Sequence, residues 1–191
     1  MKSSFVLAGI MALSLSSLSC GGGESVYKRV FVSSTAQMPA FGGLAGGDAI
    51  CQGLANTAAL GGSWVAYLST STVDAKDRLS TLLVRGYTLV DGTVVFNAPF
   101  NPQSALGNIN LHETGAVASN LGLLGQVQTG TDEDGKFGGG TSCTDWTSNA
   151  GAGLYVGAHS WHNDPTNAAS EWGFFGNGGC AFARPIYCFE L

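Results

Sequence analysis

The closing stretch CAFARPIYCFEL, residues 180–191, decides the fold, because it carries two cysteines around an apolar segment, Ile186–Phe189, that predicts a final strand. Upstream of it, Cys51 and Cys143 lie in the body of the chain, whereas Cys20 stands alone after a short apolar segment. Four body cysteines and one separate cysteine predict two disulfides and one modified cysteine. Taken alone, the sequence allows three pairings of the four body cysteines.

The N-terminal segment predicts export. The mostly apolar run Phe5–Leu18, about 14 residues, is too short to cross a bilayer but fits the apolar region of a signal peptide. Small residues flank Cys20, which resembles the lipobox of bacterial lipoproteins, although Ser17 stands where that motif has leucine. We expect residues 1–19 to be a signal peptide and residues 20–26 a lipidated tether. An ordinary cleaved signal peptide is the alternative.

The fate of Cys20 sets the expected location. A leftover free thiol is a liability in an oxidising compartment, which favours acylation (palmitate or a related chain) of this cysteine. The expected location is therefore the bacterial cell envelope, with the domain at the outer membrane or cell surface. The membrane is then the first predicted partner, reached through the lipid anchor.

The amino-acid composition favours a single extracellular domain and disfavours polyanionic partners. The 172 residues that follow the signal segment are enough for one domain with a real core. Glycine is abundant, at 29 of 191 residues, and only 11% of residues are charged, which favours a compact, loop-rich extracellular domain. Eight basic residues face thirteen acidic ones and form no basic run. Nucleic acid and heparin are therefore disfavoured as partners.

The order of local patterns predicts an α+β domain over residues 27–191. A glycine-rich segment at 42–47 precedes a predicted helix, and we expect Asp48 to cap this helix. The apolar side chains that follow recur at helical spacing. The Asp91-Gly92 pair predicts a hairpin, and residues 97–124 read as long loops. The other predicted elements are strands at Tyr27–Ser33, Ser63–Ser69, Gln126–Thr129, Leu154–Gly157 and Trp172–Phe175, a short helix at Thr72–Leu79 with solvated Asp74, Lys76 and Arg78, and an acidic turn at Thr131–Lys136.

Several of these segments resemble the endostatin module of certain collagens. Residues 42–52, GGLAGGDAICQ, resemble the start of its first helix, and residues 64–69, WVAYLS, are similar to the next strand. Residues 130–135 and 143–147, GTDEDG and CTDWT, resemble its central turn and third-quarter cysteine. With the C-terminal IYCFE, the pattern is most similar to endostatin-like lipoproteins of spirochaetes over about residues 28–191.

The resemblance carries expectations about fold and ligand. It implies a single C-type-lectin-like domain, a mixed sheet with one or two helices and long loops. It also implies the nested disulfides Cys51–Cys188 and Cys143–Cys180. Ligands of the family type would be extracellular matrix proteins or host factors. The zinc histidines and heparin-binding arginines of collagen endostatins are not matched here, so we expect no metal and no cofactor.

The loop at residues 159–164, HSWHND, is the candidate ligand-binding site. We expect Trp161 to be exposed and to anchor a ligand, with His162 and Asp164 beside it, on a surface formed by loops between residues 97 and 164. The same segment could hold a metal or a lectin-type calcium ion, and the acidic residues 132–134 could hold a hard cation. An exposed polar loop is the alternative in each case.

No sequence motif points to catalysis. The chain contains no G-x-S-x-G, H-E-x-x-H or P-loop pattern, and the lone pair His112-Glu113 carries no assignment. We therefore expect a non-catalytic, surface-anchored binding lipoprotein, of adhesion type, for extracellular protein ligands. The alternative is a calcium-dependent, carbohydrate-binding lipoprotein.

Overall fold

The computed structural model describes residues 26–79, 84–118, 125–158 and 172–191, which form an α+β arrangement as predicted. The elements are β1 (Val26–Val32), α1 (Gly43–Thr57), β2 (Trp64–Ala66), β3 (Val84–Thr88), β4 (Val94–Asn97), β5 (Gln126–Gln128), α2 (Cys143–Trp146), β6 (Ala152–Ala158), β7 (Gly176–Gly179) and β8 (Tyr187–Glu190). Single turns of 3₁₀ helix lie at Ala75–Arg78 and Pro102–Ser104.

The strands form two sheets. The larger is mixed, in the order β2-β8-β1-β3-β4, with β1 and β3 parallel and the other neighbours antiparallel. The smaller sheet is antiparallel, in the order β5-β6-β7. Because β8 lies between β1 and β2, the final strand is an interior strand of the larger sheet and pairs on both sides.

Strand register separates the core into two clusters. Phe31 on β1 and Ala66 on β2 both pair with Cys188 on β8, so these side chains share the face that carries α1. Val30 and Phe189 point to the opposite face. The stapled cluster comprises Phe31, Cys51, Ala55, Trp64, Ala66, Leu68, Cys143, Trp146, Leu154, Val156, Cys180, Ile186 and Cys188. The aromatic cluster comprises Val30, Val32, Tyr67, Ala75, Leu79, Val84, Tyr87, Leu89, Val95, Phe96, Ile109, Leu111, Ala118, Val127, Trp172, Tyr187 and Phe189.

Helix α1 begins earlier than predicted and includes the glycines at 43, 46 and 47. A Cβ on Gly47 would lie 2.7 Å from Leu68 Cδ1 and 3.0 Å from the Cβ of Ala66, so glycine here allows the helix to pack closely on β2. The predicted cap is wrong, because Asp48 lies inside the helix. Its carboxylate instead accepts the Ala66 N–H at 2.9 Å and so fixes the helix to the strand.

The helix predicted at Thr72–Leu79 is wrong, because only the 3₁₀ turn Ala75–Arg78 forms there. Two of the three charged residues expected to be solvated are also less solvated than predicted. The Arg78 side chain is only 11% exposed, pairs with Asp48 at 2.7 Å and donates to the carbonyl of Ala66. The Asp74 carboxylate accepts the N–H of Phe137 at 2.8 Å. Both groups therefore connect elements rather than facing water.

Most of the other predicted strands are confirmed, including the opening strand, the hairpin about Gly92 and the final strand. The strand predicted at Trp172–Phe175 is wrong. Trp172 is buried in the aromatic cluster, with its indole N–H donating to the carbonyl of Pro102 at 2.7 Å. The strand is β7, which begins at Gly176.

Candidate functional site

The predicted ligand-binding residues Trp161, His162 and Asp164 lie outside the described residues, as does Cys20. The described parts of the predicted loop surface are residues 97–118 and 125–158. Two features of these loops place polar side chains together, an acidic turn and a left-handed turn at α2, and a third, an open cavity, lies where residues 113–115 meet two other segments.

Two disulfides fix the framework beneath these loops. Cys51 on α1 is bonded to Cys188 on β8, with 5.4 Å between the Cα atoms, and Cys143 on α2 is bonded to Cys180, just after β7, with 5.7 Å. This is the nested pairing that the family resemblance implies. The first bridge ties helix to sheet, and the second ties the loop-bearing α2 to the smaller sheet.

In the acidic turn at residues 131–136, the Asp132 carboxylate closes the turn and Asp134 contacts a neighbouring loop. Asp132 Oδ1 accepts the N–H groups of Asp134 and Lys136 at 3.0 and 2.9 Å. Asp134 accepts the side-chain amide of Gln103 at 2.5 Å and lies 3.6 Å from the Lys136 ammonium. Within the described ranges, no group of three or more His, Cys, Asp or Glu side chains is arranged to hold a metal ion.

The turn α2 is left-handed, with positive φ at Cys143, Thr144, Asp145 and Trp146. Asp145 fastens it: the carboxylate accepts the N–H and hydroxyl of Ser71 at 2.8 and 2.7 Å and the Ser142 hydroxyl at 2.5 Å. The hydrogen bond from Ser142 is the main cause that lowers the pKa of Asp145, with those from Ser71 adding to it. Trp146 is buried, and its indole donates to the Ser69 carbonyl at 2.9 Å. These contacts indicate a structural anchor.

An open cavity of about 400 Å³ lies where three segments distant in sequence meet. The chain just after α1 supplies Ala58 and Leu60, the connection between β3 and β4 supplies Val90 and Asp91, and a loop hairpin supplies residues 113–115. Ala58, Leu60 and Val90 are half-buried and form an apolar lining. Val90 packs against both core clusters, so the cavity lies where the two clusters meet at the surface.

The hairpin that brings Glu113 to the cavity runs from Leu111 to Val117, which form an isolated β-bridge. Its turn closes through the Gly115 N–H, which donates to the His112 carbonyl at 2.9 Å, and Gly115 has a φ of +81° that favours glycine. The Val32 N–H donates to the Leu111 carbonyl at 2.9 Å, which docks the hairpin against the end of β1.

Glu113 is held rigidly at the cavity wall. It is only 5% exposed, and its carboxylate accepts the N–H of Ser34 at 3.1 Å and also the Ser34 hydroxyl. Its neighbour His112 is also buried, with Nδ1 3.0 Å from the carbonyl of Val32. Sequence reasoning left this pair unassigned. A turn signal was present, because Gly115 lies between the apolar residues Leu111 and Val117.

Two acidic residues, Asp91 and Glu113, line the cavity. Asp91 is exposed and accepts the N–H of Thr93 at 2.9 Å, which lowers the pKa of its carboxyl. In the described part of the chain the ion pairs are Arg29–Glu190, Arg78–Asp48 and Lys136–Asp134, so neither Asp91 nor Glu113 is paired with a cation there. The cavity thus combines an apolar lining with two carboxylates.

Comparison with known proteins identifies no family, because no family model and no curated protein matches this chain. The endostatin-like resemblance therefore stays a prediction. Among the helices of the described residues, none is long and apolar enough to cross a membrane.

Proposed function

We propose that this chain is an exported lipoprotein, anchored through Cys20, that binds extracellular proteins. The observation that carries the proposal is the pair of nested disulfides, Cys51–Cys188 and Cys143–Cys180. Disulfides form and persist in oxidising compartments, so they agree with the signal-peptide pattern at residues 1–19. The bacterial cell surface is the location that combines export with a lipid anchor.

The same disulfides support a role in display. Binding residues lie disproportionately on loops that a rigid scaffold positions. Here one bridge joins α1 to the interior strand β8, and the other joins α2 to the smaller sheet. The open cavity is lined by parts of the chain on this scaffold. A protein ligand fits this surface better than a polyanion, since acidic residues outnumber basic ones in the sequence.

The finer fold assignment is part of the proposal. We assign a C-type-lectin-like, endostatin-like domain to residues 27–191. Support comes from the mixed sheet with β8 between β1 and β2, and from a disulfide pairing that coincides with the one the resemblance implies.

One experiment tests anchoring and binding together. The full chain and a Cys20→Ala variant are expressed in a bacterial host, and the membrane-extracted protein is weighed by intact mass spectrometry. We expect an N-terminal cysteine carrying acyl chains, and loss of membrane attachment in the variant, because each buried CH₂ contributes about 0.8 kcal/mol to membrane binding. A mass that shows cleavage elsewhere without acyl chains contradicts the anchor.

The binding arm uses the same cells. Purified extracellular matrix and serum proteins are applied to cells displaying the wild type, Trp161→Ala or Thr57→Ala. Thr57 is exposed on α1 and serves as the matched control. We expect Trp161→Ala to weaken binding by about 2 kcal/mol or more, as aromatic hot spots do, and Thr57→Ala to leave binding unchanged. Binding to glycans that EDTA abolishes, without protein binding, would instead favour the calcium-dependent lectin.

A further inference from the structure

We propose that the open cavity lined by Ala58, Leu60, Val90, Asp91 and residues 113–115 binds a basic side chain, lysine or arginine, of a protein ligand. The inference rests on the proposed protein-binding function and names the chemical group that this cavity recognises. It adds a contact point where the two core clusters meet at the surface.

The shape of the cavity suits a long side chain with a charged end. Its half-buried apolar lining, Ala58, Leu60 and Val90, offers contact for the methylene stem of lysine or arginine. Such side chains bury their stem along apolar surface and keep the charged head near polar groups. The volume of about 400 Å³ lies in the range of ligand pockets and exceeds what one such side chain needs.

The charge of the cavity selects a cation. The Glu113 carboxylate accepts two hydrogen bonds, both from Ser34, and an ionised carboxylate offers about four acceptor positions, so acceptor capacity remains. Asp91 places a second carboxylate on the same cavity. Neither acid has an ion-pair partner in the described residues. An ammonium or guanidinium group would supply that partner with charge-assisted hydrogen bonds.

Contacts within the chain fix the position of the Glu113 carboxylate. Ser34 holds Glu113 from the end of β1, and the Gly115 turn holds the hairpin itself. A pre-organised carboxylate loses little side-chain entropy on binding, so more of the interaction energy appears as affinity. A divalent cation is the poorer occupant, because this cavity offers two carboxylates and no third acidic, histidine or cysteine side chain in its described lining.

The test is an NMR titration of the isotope-labelled mature lipoprotein in detergent micelles. The probe is the blocked tripeptide Gly-Lys-Gly, with the same peptide carrying arginine, norleucine or glutamate in place of lysine. We expect saturable shifts of the amide signals of Asp91, Thr114 and Gly115, with a dissociation constant on the order of 1 mM, the scale for a fragment of about five heavy atoms. Norleucine keeps the stem without the charge and should shift them little.

Two variants test the carboxylates separately. Glu113→Gln keeps an acceptor for Ser34 but removes the charge, and Asp91→Asn keeps an acceptor for the Thr93 N–H and removes the charge at an exposed position. Each should weaken the lysine peptide about tenfold, the loss expected for one charge-assisted bond. The matched control is Asp77→Asn, an exposed acid on the 3₁₀ turn at 75–78, which should leave the dissociation constant unchanged.

Three results would overturn the inference: no shift at these amides, equal shifts by norleucine or glutamate, or lysine binding that both variants leave unchanged. Shifts by calcium chloride alone, with none by the lysine peptide, would also overturn it and indicate a cation site. The protein-binding experiment on displayed cells is independent of these results. A failed titration with intact protein binding contradicts only the proposed role of the cavity. If the displayed protein binds no protein at all, the proposed function is contradicted.

Discussion

The stapled cluster and the aromatic cluster lie on opposite faces of the larger sheet and share the strands β1, β2 and β8. They are built from different residues. The stapled cluster contains the four disulfide cysteines, whereas the aromatic cluster has no cysteine among its described members and packs Tyr67, Tyr87, Phe96, Trp172, Tyr187 and Phe189. Ring centroids there lie as close as 4.7 Å, between Tyr67 and Trp172.

Polar atoms are treated differently on the two faces. In the stapled cluster, the indole N–H groups of Trp64 and Trp146 donate to the carbonyls of Gly61 and Ser69. In the aromatic cluster, the hydroxyls of Tyr67, Tyr87 and Tyr187 are buried without a hydrogen-bond partner in the described structure. One face therefore combines cross-links with satisfied polar groups. The other relies on ring burial and tolerates unsatisfied hydroxyls at a cost in stability.

The largest expected effect comes from removing the cross-links. Cys51→Ala with Cys188→Ala opens a loop of 137 residues and should lower the free energy of unfolding by about 4–5 kcal/mol. Cys143→Ala with Cys180→Ala opens a loop of 37 residues and should cost about 1 kcal/mol less. Urea unfolding of the two double variants measures both values.

The control is the wild type after reduction, which should lose stability at least as great as the larger of the two losses. A greater cost for the shorter loop would contradict the loop-length explanation. It would show that the Cys143–Cys180 bridge also stabilises the left-handed turn α2 directly.

The secondary-structure elements that could be predicted are those determined by the local sequence. The alternation at β1, the apolar segment at β8, the Asp91-Gly92 turn and the helical spacing around Cys51 are local signals, and each predicted element is found in the structure. The two disulfides follow from the even number of body cysteines. These local elements and the number of disulfides can be predicted without knowing which distant segments of the chain come into contact.

The features that were missed depend on distant partners. Asp48 has the sequence of a helix cap, but its carboxylate binds Ala66 and Arg78, which requires α1 to pack on β2. Glu113 becomes part of a cavity wall because Ser34, 79 residues away, donates two hydrogen bonds to its carboxylate and so holds the hairpin near the end of β1. The sequence around Trp172 resembles a strand, yet its side chain is buried in the aromatic cluster and the strand begins at Gly176. Tertiary packing decides all three.

The second-largest expected effect is a loss of stability at high pH that comes from the tyrosines of the aromatic cluster. Burial is the main cause that raises the pKa of Tyr87 to about 12 and the pKa values of Tyr67 and Tyr187 well above their usual range. In the unfolded chain tyrosine ionises near pH 10, so above that pH the unfolded state holds fewer protons than the folded state. The stability from these pKa shifts is therefore complete below about pH 10 and falls above it, and for Tyr87 the loss at pH 11 is about 1.4 kcal/mol.

Urea unfolding at about pH 8 and about pH 11 measures this loss for the wild type and for Tyr67→Phe, Tyr87→Phe and Tyr187→Phe. Tyr87→Phe should lose about 1.4 kcal/mol less than the wild type over the interval, and the other two variants should also lose less than the wild type. At pH 8 the same variants should be as stable as the wild type or more stable, because each removes an unsatisfied hydroxyl. A loss at pH 8 of more than 1 kcal/mol would show that the hydroxyl has a partner in the folded state.

The smallest effect concerns backbone strain, which lies on the stapled side. The non-glycine residues with positive φ in the described chain are Ala59 and the four residues 143–146 of α2. Thr144, with φ 56° and ψ 53°, is the β-branched member, and its side chain is exposed. A β-branched residue is strained in this region, so the fold holds it there through the disulfide and the Trp146 anchor.

Thr144→Gly should therefore raise the free energy of unfolding by about 0.5–1 kcal/mol. The left-handed conformation costs an L-residue about 1–2 kcal/mol, and the greater backbone entropy of glycine in the unfolded chain takes back about 0.5–1 kcal/mol. Thr147→Gly is the control, because Thr147 has a φ of −118° and its hydroxyl donates to the Thr144 carbonyl. It should destabilise, so the same substitution three residues apart changes sign. If both variants destabilise equally in thermal or urea unfolding, α2 carries no strain, and the stapled face differs from the aromatic face in its cross-links and polar groups alone.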